Sequence, residues 1–271
     1  MNILITGSKG FIGKHLVKRL SKNHNITEHE WGDQLPDLWH YKAVIHTGAI
    51  SSTTYRDVEQ ILKQNYEYTK DLIQKATEVG CMIQYSSSAS VYGPTDHFTE
   101  DGPVLPQSPY AWSKYLVDRW VNSNFFGAAV QGFRYFNVYG KGEEHKGDMM
   151  SPVSKFTKQA KETGIIKIFK GSENYLRDFV SVRDVCAIHE IMLEHKVKGI
   201  FNVGTGNPIS FKTIAELIAT KYNATIEEID MPIEIRQQYQ PFTKANLNNL
   251  RKHTDYKFMQ LKTWLNQTTR D

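Results

Sequence analysis

The sequence predicts an α/β protein built on a doubly wound parallel sheet, with a smaller C-terminal α/β lobe. Three observations carry this: apolar β-rich runs alternate with helical patterns, the glycine-rich stretch GSKGFIG joins the first strand-like run to the first helical pattern, and a serine triplet ends a strand-like run in mid-chain. Alternation of this kind makes βαβ units, whose parallel strands are covered by helices on both faces. NILIT (2–6) is the first strand and FIGKHLVKRLSK (11–22) the helix it feeds. ITEHEW (26–31) is the second strand, followed after about a dozen residues by the strand AVIHTGA (43–49). That interval, which includes QLPDLWHYK, is too short for the helix, strand and helix a doubly wound sheet normally places there, so the third strand of the usual order is expected to be missing or vestigial. The rhythm then resumes with DVEQILKQNYEYTKDLIQKATEVG as helix, MIQYSSS as strand, YAWSKYLVDRWVNSNFF as helix and AVQGFRYF as strand. After residue 137 it loosens: short strands such as IKIF and GIFNVG mix with helices near 152–163, 184–195 and 210–222, the mark of an added lobe.

Composition narrows the function. At 271 residues, 40% apolar and 23% charged, the chain is long enough to bury a sizeable core. A net charge of +4, spread rather than blocked, gives no nucleic-acid footprint but suits an anionic small substrate. Cys81 and Cys186 each sit in an apolar run and are expected as buried thiols, not as a disulfide or zinc site. Strand-like residues from Asn2 leave no room for a signal peptide, and no apolar run approaches the roughly 20 residues of a membrane span, so a cytoplasmic protein without membrane contact is expected. The histidines show no ligand-like spacing, and no metal is expected.

Three stretches carry chemistry. In GSKGFIG, Gly7 makes the tight turn, Gly10 lets the backbone approach a pyrophosphate, Gly13 lets helix pack on strand, and the helix N-terminus faces the anion. Glu28 or Glu30, near the end of the second strand, can bind ribose hydroxyls. YAWSK puts Tyr110 and Lys114 on one helical face, where a cation beside a phenol makes it a usable base. Tyr66 and Lys70 share that spacing but lie mid-helix among charged residues, whereas Tyr110 follows a Ser-Pro helix start and comes 22 residues after Ser88, at the strand end where such sheets bind ligands. Ser88 is therefore read as a catalytic hydroxyl, although serines also cap turns. The third stretch, NVYGKGEEHKGDMM (137–150), reads either as a solvated loop or as a lid that brings a lysine to a substrate.

GSKGFIG, SSSASVYG, YAWSK and FRYFNVYG, in that order, resemble the extended short-chain dehydrogenase/reductase, or NAD-dependent epimerase/dehydratase, family of nucleotide-sugar enzymes. GAISSTT (48–54), FNVYGKGEEHKGDMM, FKGSENYLRDFVSVRDV (169–185), GIFNVGTGNPISF (199–211) and QYQPFTKANLNNLR (238–251) resemble its branch that epimerises the exocyclic carbon of a nucleotide-linked heptose. The resemblance implies a Rossmann domain holding NADP or NAD, formed by 1–138 and about 178–204, and a nucleotide-sugar lobe formed by about 139–177 and 205–271. It implies a homo-oligomer, and a catalytic set of Ser88, Tyr110 and Lys114, with Lys146 as a second acid/base. Phe11, Ile12, Gly48, Ala49, Asn65 and Val138 are implied near the cofactor, and Ser52, Asn137, Asp148, Gly171, Ser172, Arg177 and Tyr239 near the nucleotide-diphosphate sugar. Two departures matter. Asp148 stands where the branch has a serine, and the short interval after residue 33 removes lysines the branch uses near the adenosine ribose, which with the acidic TEHE leans the cofactor toward NAD. The rival readings are a 4-epimerase or 4-reductase of the same family, and a non-catalytic cofactor sensor; the Thr-Asp-Glu signature of dehydratases is absent.

Overall fold

The computed structural model describes residues 1–52, 55–233 and 240–268. Six parallel strands form the main sheet: β1 (Asn2–Thr6), β2 (Asn25–His29), β3 (Ala43–His46), β4 (Met82–Ser88), β5 (Val130–Tyr135) and, late in the chain, Gly199–Val203. The last of these pairs with β5, so the order across the sheet is β2, β1, β3, β4, β5 and then Gly199–Val203. The chain reverses direction across the sheet between β1 and β3, which opens a ligand crevice at the carboxyl ends of the central strands.

The expected missing strand is confirmed. Between His29 and Ala43 the only regular element is a 3-10 turn over Leu38–His40, which buries Leu38 beneath the sheet's edge. β2 is therefore an edge strand, and it carries the exposed Thr27 and Glu28, the polar character that discourages edge-to-edge pairing. Beyond it Trp31 stands edge-on to Tyr68 with ring centres 4.9 Å apart.

Helices cover both faces. On one, α1 (Phe11–Leu20) packs with the helix Val182–Met192 through Phe11, Leu16, Leu20, Val182 and Cys186. On the other, Leu72, Ile73, Val117 and Val121 pack on Val44, Ile83 and Val130. The expected long helix 57–80 forms in three pieces, α2 (Val58–Ile61), a π-helical segment Leu62–Glu67, and α3 (Tyr68–Glu78). α4 (Pro109–Asn122) starts at a Ser108 cap whose hydroxyl accepts from Ala111 N at 3.2 Å, with Pro109 in its first turn.

The C-terminal lobe is built from β6 (Asn137–Tyr139), α5 (Pro152–Thr163), β7 (Ile165–Phe169), β8 (Leu176–Arg177), β9 (Phe179–Ser181), the helix Phe211–Tyr222, the strand Thr225–Ile229 and the helix Leu261–Gln267. Its core gathers Phe156, Ile166, Ile168, Ile214, Ile218 and Trp264. β6 pairs in parallel with β9, and Asp178 accepts from the amides of Thr205, Gly206 and Ala245, so the lobe is hydrogen-bonded to the loop that leaves the sheet's last strand. Both cysteines are buried and unpaired. Among the described residues no helix is long and apolar enough to cross a membrane, and no group of three metal-ligating side chains forms.

Candidate active site

The glycine loop is shaped by contact distances. Gly7 has φ +71°, and a Cβ there would lie 2.4 Å from Gly48 N; a Cβ on Gly13 would lie 2.1 Å from Gly7 O. Gly10 meets nothing closer than 3.2 Å and lines the cavity, so the backbone can be approached there. As the N-cap of α1, Gly10 offers no side-chain acceptor, which leaves the first helical N–H groups directed at whatever lies above them. This cradle suits a dinucleotide pyrophosphate, which any Cβ at Gly7 or Gly13 would exclude by displacing the loop.

Of the two acidic positions after β1, the structure selects Glu30. Its Oε1 accepts from Ser8 Oγ at 2.8 Å and Lys9 N at 2.7 Å, at the mouth of the loop. Glu28, read as the cofactor contact, pairs opposite Ile5 within β2 and is exposed. The two lie on the same side of the strand, and only the later one reaches past its end to the loop.

At the end of β3, His46 is buried between Thr6 and Thr69, with Nε2 2.9 Å from Thr69 Oγ1. Burial, the Lys114 charge and His29 push its pKa down to about 3, so this imidazole is a neutral wall. Gly48 lies directly under Gly7. Asn65, turned inward by the π-helical segment, binds both the N–H (2.8 Å) and the carbonyl (2.9 Å) of Ile50 and donates to Ser113 Oγ at 3.1 Å. It clamps the strand-end loop to α4.

The serine triplet divides its work. The Ser86 carbonyl accepts from Lys114 Nζ at 2.8 Å, Ser87 donates to Asp118 at 2.9 Å, and Ser88 faces the cavity while accepting from Ser90 N at 3.2 Å. Both readings of Ser88, cap and catalytic hydroxyl, are therefore compatible. Burial pushes the Tyr110 phenol up, and the group that pulls it back down is Ser88. Lys114 is itself buried, which lowers its pKa to about 8 against the opposing pull of Asp118. Lys114 Nζ thus donates to the strand, while burial and the Ser88 hydroxyl act on the Tyr110 phenol in opposite directions.

A cavity of about 720 Å³ collects these groups. Gly10, Phe11, Ile12 and Gly13 line it from the loop, Ala49 and Ser52 from the end of β3, and Ser88, Tyr110 and Lys114 from β4 and α4. Asn137, Val138, Lys146 and Arg177 close it from the lobe. Lys146 lies with Nζ 3.8 Å from the centre of the Phe11 ring and 3.2 Å from Glu143 Oε2; burial lowers its pKa and Glu143 opposes that. Gly7, Gly48 and Asn65 stand behind the wall. Asp148, read as a sugar contact, is exposed and is not among the residues that line the cavity, although Met149 beside it is. Ser172 belongs to a second cavity of about 350 Å³ that also takes in Lys155, Phe169, Tyr175 and Phe211, and its buried hydroxyl has no partner among the described residues. Gly171 (φ +80°) makes the turn just before it. The Arg177 guanidinium stands 5.9 Å from the Phe211 ring, between the two cavities. Tyr239 lies outside the described residues.

Sequence reasoning missed several lining residues. His145, Ser51 and Gln240 flank residues it did select, and Thr243 comes from the same 238–251 stretch that the resemblance marked. Gln240 reaches the site by donating to the Gly93 carbonyl at 2.7 Å.

Comparison with known proteins agrees with this geometry. The model of the NAD dependent epimerase/dehydratase family matches residues 23–204. ADP-L-glycero-D-manno-heptose-6-epimerase of Brachyspira hyodysenteriae is 38% identical over 300 aligned positions, covering 96% of this chain and 94% of that protein. The crystal structure of the enzyme of the same name from Helicobacter pylori superposes with a TM-score of 0.88 at 24% identity, over 99% of this chain and 95% of the other. UDP-N-acetylglucosamine 4-epimerase of Methanobrevibacter ruminantium superposes at 0.87 with 21% identity, over 99% and 97%. The two superpositions establish the fold. Because the family match spans well over half of the chain and the Brachyspira relative aligns along nearly all of it, this protein belongs to the NAD dependent epimerase/dehydratase family.

Proposed function

We propose that this protein is a nucleotide-sugar epimerase that inverts the exocyclic carbinol carbon of an ADP-linked heptose. The observation that carries the reading is that Tyr110 and a desolvated Lys146, from different elements, line one cavity with the glycine loop. Inversion through a ketone needs an acid/base at each of two oxygen positions, since one group reaches only one of them at the roughly 3 Å of proton transfer.

The nicotinamide cofactor, when bound, supplies the oxidising centre that takes a hydride from the carbinol carbon and gives it back, so no net redox change results. Tyr110, acting as the phenolate, accepts the hydroxyl proton of the substrate, and Ser88, whose hydroxyl opposes the burial that raises the phenol's pKa, donates to the same oxygen as it becomes a carbonyl. Lys146 donates a proton to that oxygen once the exocyclic group has rotated. The proton Tyr110 gains and the one Lys146 gives up are then exchanged with solvent. Glu30 is suited to the ribose hydroxyls, and its carboxylate opposes a 2′-phosphate, which favours NAD over NADP. The substrate's diphosphate is assigned to Arg177, and its base to the cavity lined by Phe169, Ser172 and Phe211. Residues 1–138 and about 178–204 are then the cofactor-binding part and the rest the sugar-binding lobe.

The test is an NMR assay of purified protein in D₂O with ADP-heptose, UDP-glucose and UDP-N-acetylglucosamine. Interconversion of the heptose epimers alone, without deuterium entering the inverted carbon, is the expected result. Epimerisation of a UDP-hexose would instead assign the site to a 4-epimerase, and deuterium at the inverted carbon would exclude internal hydride return.

A further inference from the structure

Glu143 is a buried carboxylate, 1% exposed, on the loop that carries Lys146. Its Oε1 accepts from Gly140 N at 3.0 Å, Ser151 Oγ at 2.7 Å and Ser154 Oγ at 2.8 Å, and its Oε2 from Ser151 N at 2.8 Å and Lys146 Nζ at 3.2 Å. We propose that Glu143 is a positioning residue, anchoring loop 141–150 to the end of β6 and the N-terminus of α5 and holding the Lys146 ammonium over Phe11 at the cavity wall. The inference rests on the reading of Lys146 as the second acid/base and adds to it the group that places it.

Four of the five donors belong to the framework, and the fifth is the one side chain whose position matters for chemistry. A carboxylate this deep is costly to bury unless its oxygens are satisfied, and the helix N-terminus of α5 adds a favourable field. Lys146 sits between two left-handed glycines, Gly142 (φ +90°) and Gly147 (φ +52°), on a stem with four rotatable bonds. Without a tether such a side chain gives up rotamer freedom whenever it is held in one place. Glu143 limits that freedom, and the Phe11 ring of α1 supplies the other face of the slot. The charged and titratable groups around Lys146 are Lys141, Glu143, Glu144, His145 and Asp148 on its own loop and, lining the same cavity, Tyr110 and Lys114 of α4, Tyr135 of β5 and Arg177 of β8. Of these acidic groups Glu143 is the one bonded to Lys146, and it counters the burial that lowers the lysine's pKa.

The experiment compares Glu143→Gln in the wild-type and Lys146→Met backgrounds. In the wild-type background we expect kcat to fall about 10- to 100-fold with KM within about 3-fold, and the high-pH limb of the rate profile to move to lower pH, because burial then acts on Lys146 unopposed. In the Lys146→Met background the same substitution is expected to leave the residual kcat within about 2-fold, since residues acting through one another are not additive. Acylation of Lys146 by trace acetic anhydride at pH 7.5, read by mass spectrometry, is expected to rise in Glu143→Gln and needs no substrate. Equal losses in both backgrounds with unchanged acylation would reduce Glu143 to a structural residue and overturn the proposal. So would an unchanged kcat. Ser154→Ala, which removes one framework donor, carries the same cycle if Glu143→Gln does not fold. Should the wild-type protein turn over no nucleotide sugar, the functional reading falls while the acylation comparison still decides the role of Glu143.

Discussion

Lys114 Nζ donates to the carbonyl oxygen of Ser86 at 2.8 Å, so the lysine of α4 is held by β4, the strand that also carries Ser88. Lys114 is 3% exposed, and its pKa is lowered to about 8 by burial, with Asp118 opposing. The unfolded chain, with an ordinary lysine pKa near 10.4, binds more protons than the native protein between about pH 8 and 10.4. Stability attributable to this group therefore rises with pH through that window, and the cost of burying the charge is fully present below it. Lys114→Met is expected to abolish turnover yet leave Tm at pH 7 equal to or above that of the wild type. The gap should narrow by pH 10. Thermal unfolding at the two pH values checks this, and a Tm lowered by several degrees at pH 7 would refute it.

Tyr110→Phe should lower kcat by at least about 100-fold, the lower end of what acid/base catalysis supplies, while cofactor affinity stays within a few-fold. Tyr66→Phe should do little. Tyr66 has the same i, i+4 lysine, with Lys70 Nζ 5.6 Å from its ring centre, but is half-buried against the core cluster on one face of the sheet and does not line the cavity. Comparable losses in the two variants, measured by steady-state kinetics and calorimetric titration, would sink the assignment.

Much of this was legible in the sequence because it depends on residue type at fixed spacing. Ser88, Tyr110 and Lys114 need a strand end and a helical turn, and the local patterns supply both. The missing third strand was legible from chain length, since a dozen residues cannot make helix, strand and helix. Glu30 against Glu28 was not, because both alternate onto one side of β2 and only the strand's end point separates them. Nor was the inward turn of Asn65, which depends on a π-helical segment with no composition of its own. The exposure of Asp148 was not legible either, since the course of its loop is set by an anchor, the bond from Ser151 N to Glu143, and not by its residue types.

Glu30 gives a cofactor prediction. Its carboxylate, bonded to Ser8 and Lys9 N at the loop mouth, should make NAD bind at least about 10-fold tighter than NADP, a difference of about 1.4 kcal/mol. Glu30→Gln should shrink that ratio by weakening NAD and relieving repulsion of the 2′-phosphate. Titration of the protein with each nucleotide measures both, and tighter NADP binding by the wild type would contradict the assignment.

The central claim, that Tyr110 and Lys146 serve two oxygen positions of one inverting carbon, is tested most directly by the kinetics of Lys146→Met on ADP-heptose. The methionine keeps the stem packed near Phe11 and removes only the proton donor. The account predicts kcat lowered by at least about 100-fold with KM within a few-fold. A raised KM with kcat unchanged would contradict it and leave Lys146 as a cation that merely attracts the diphosphate.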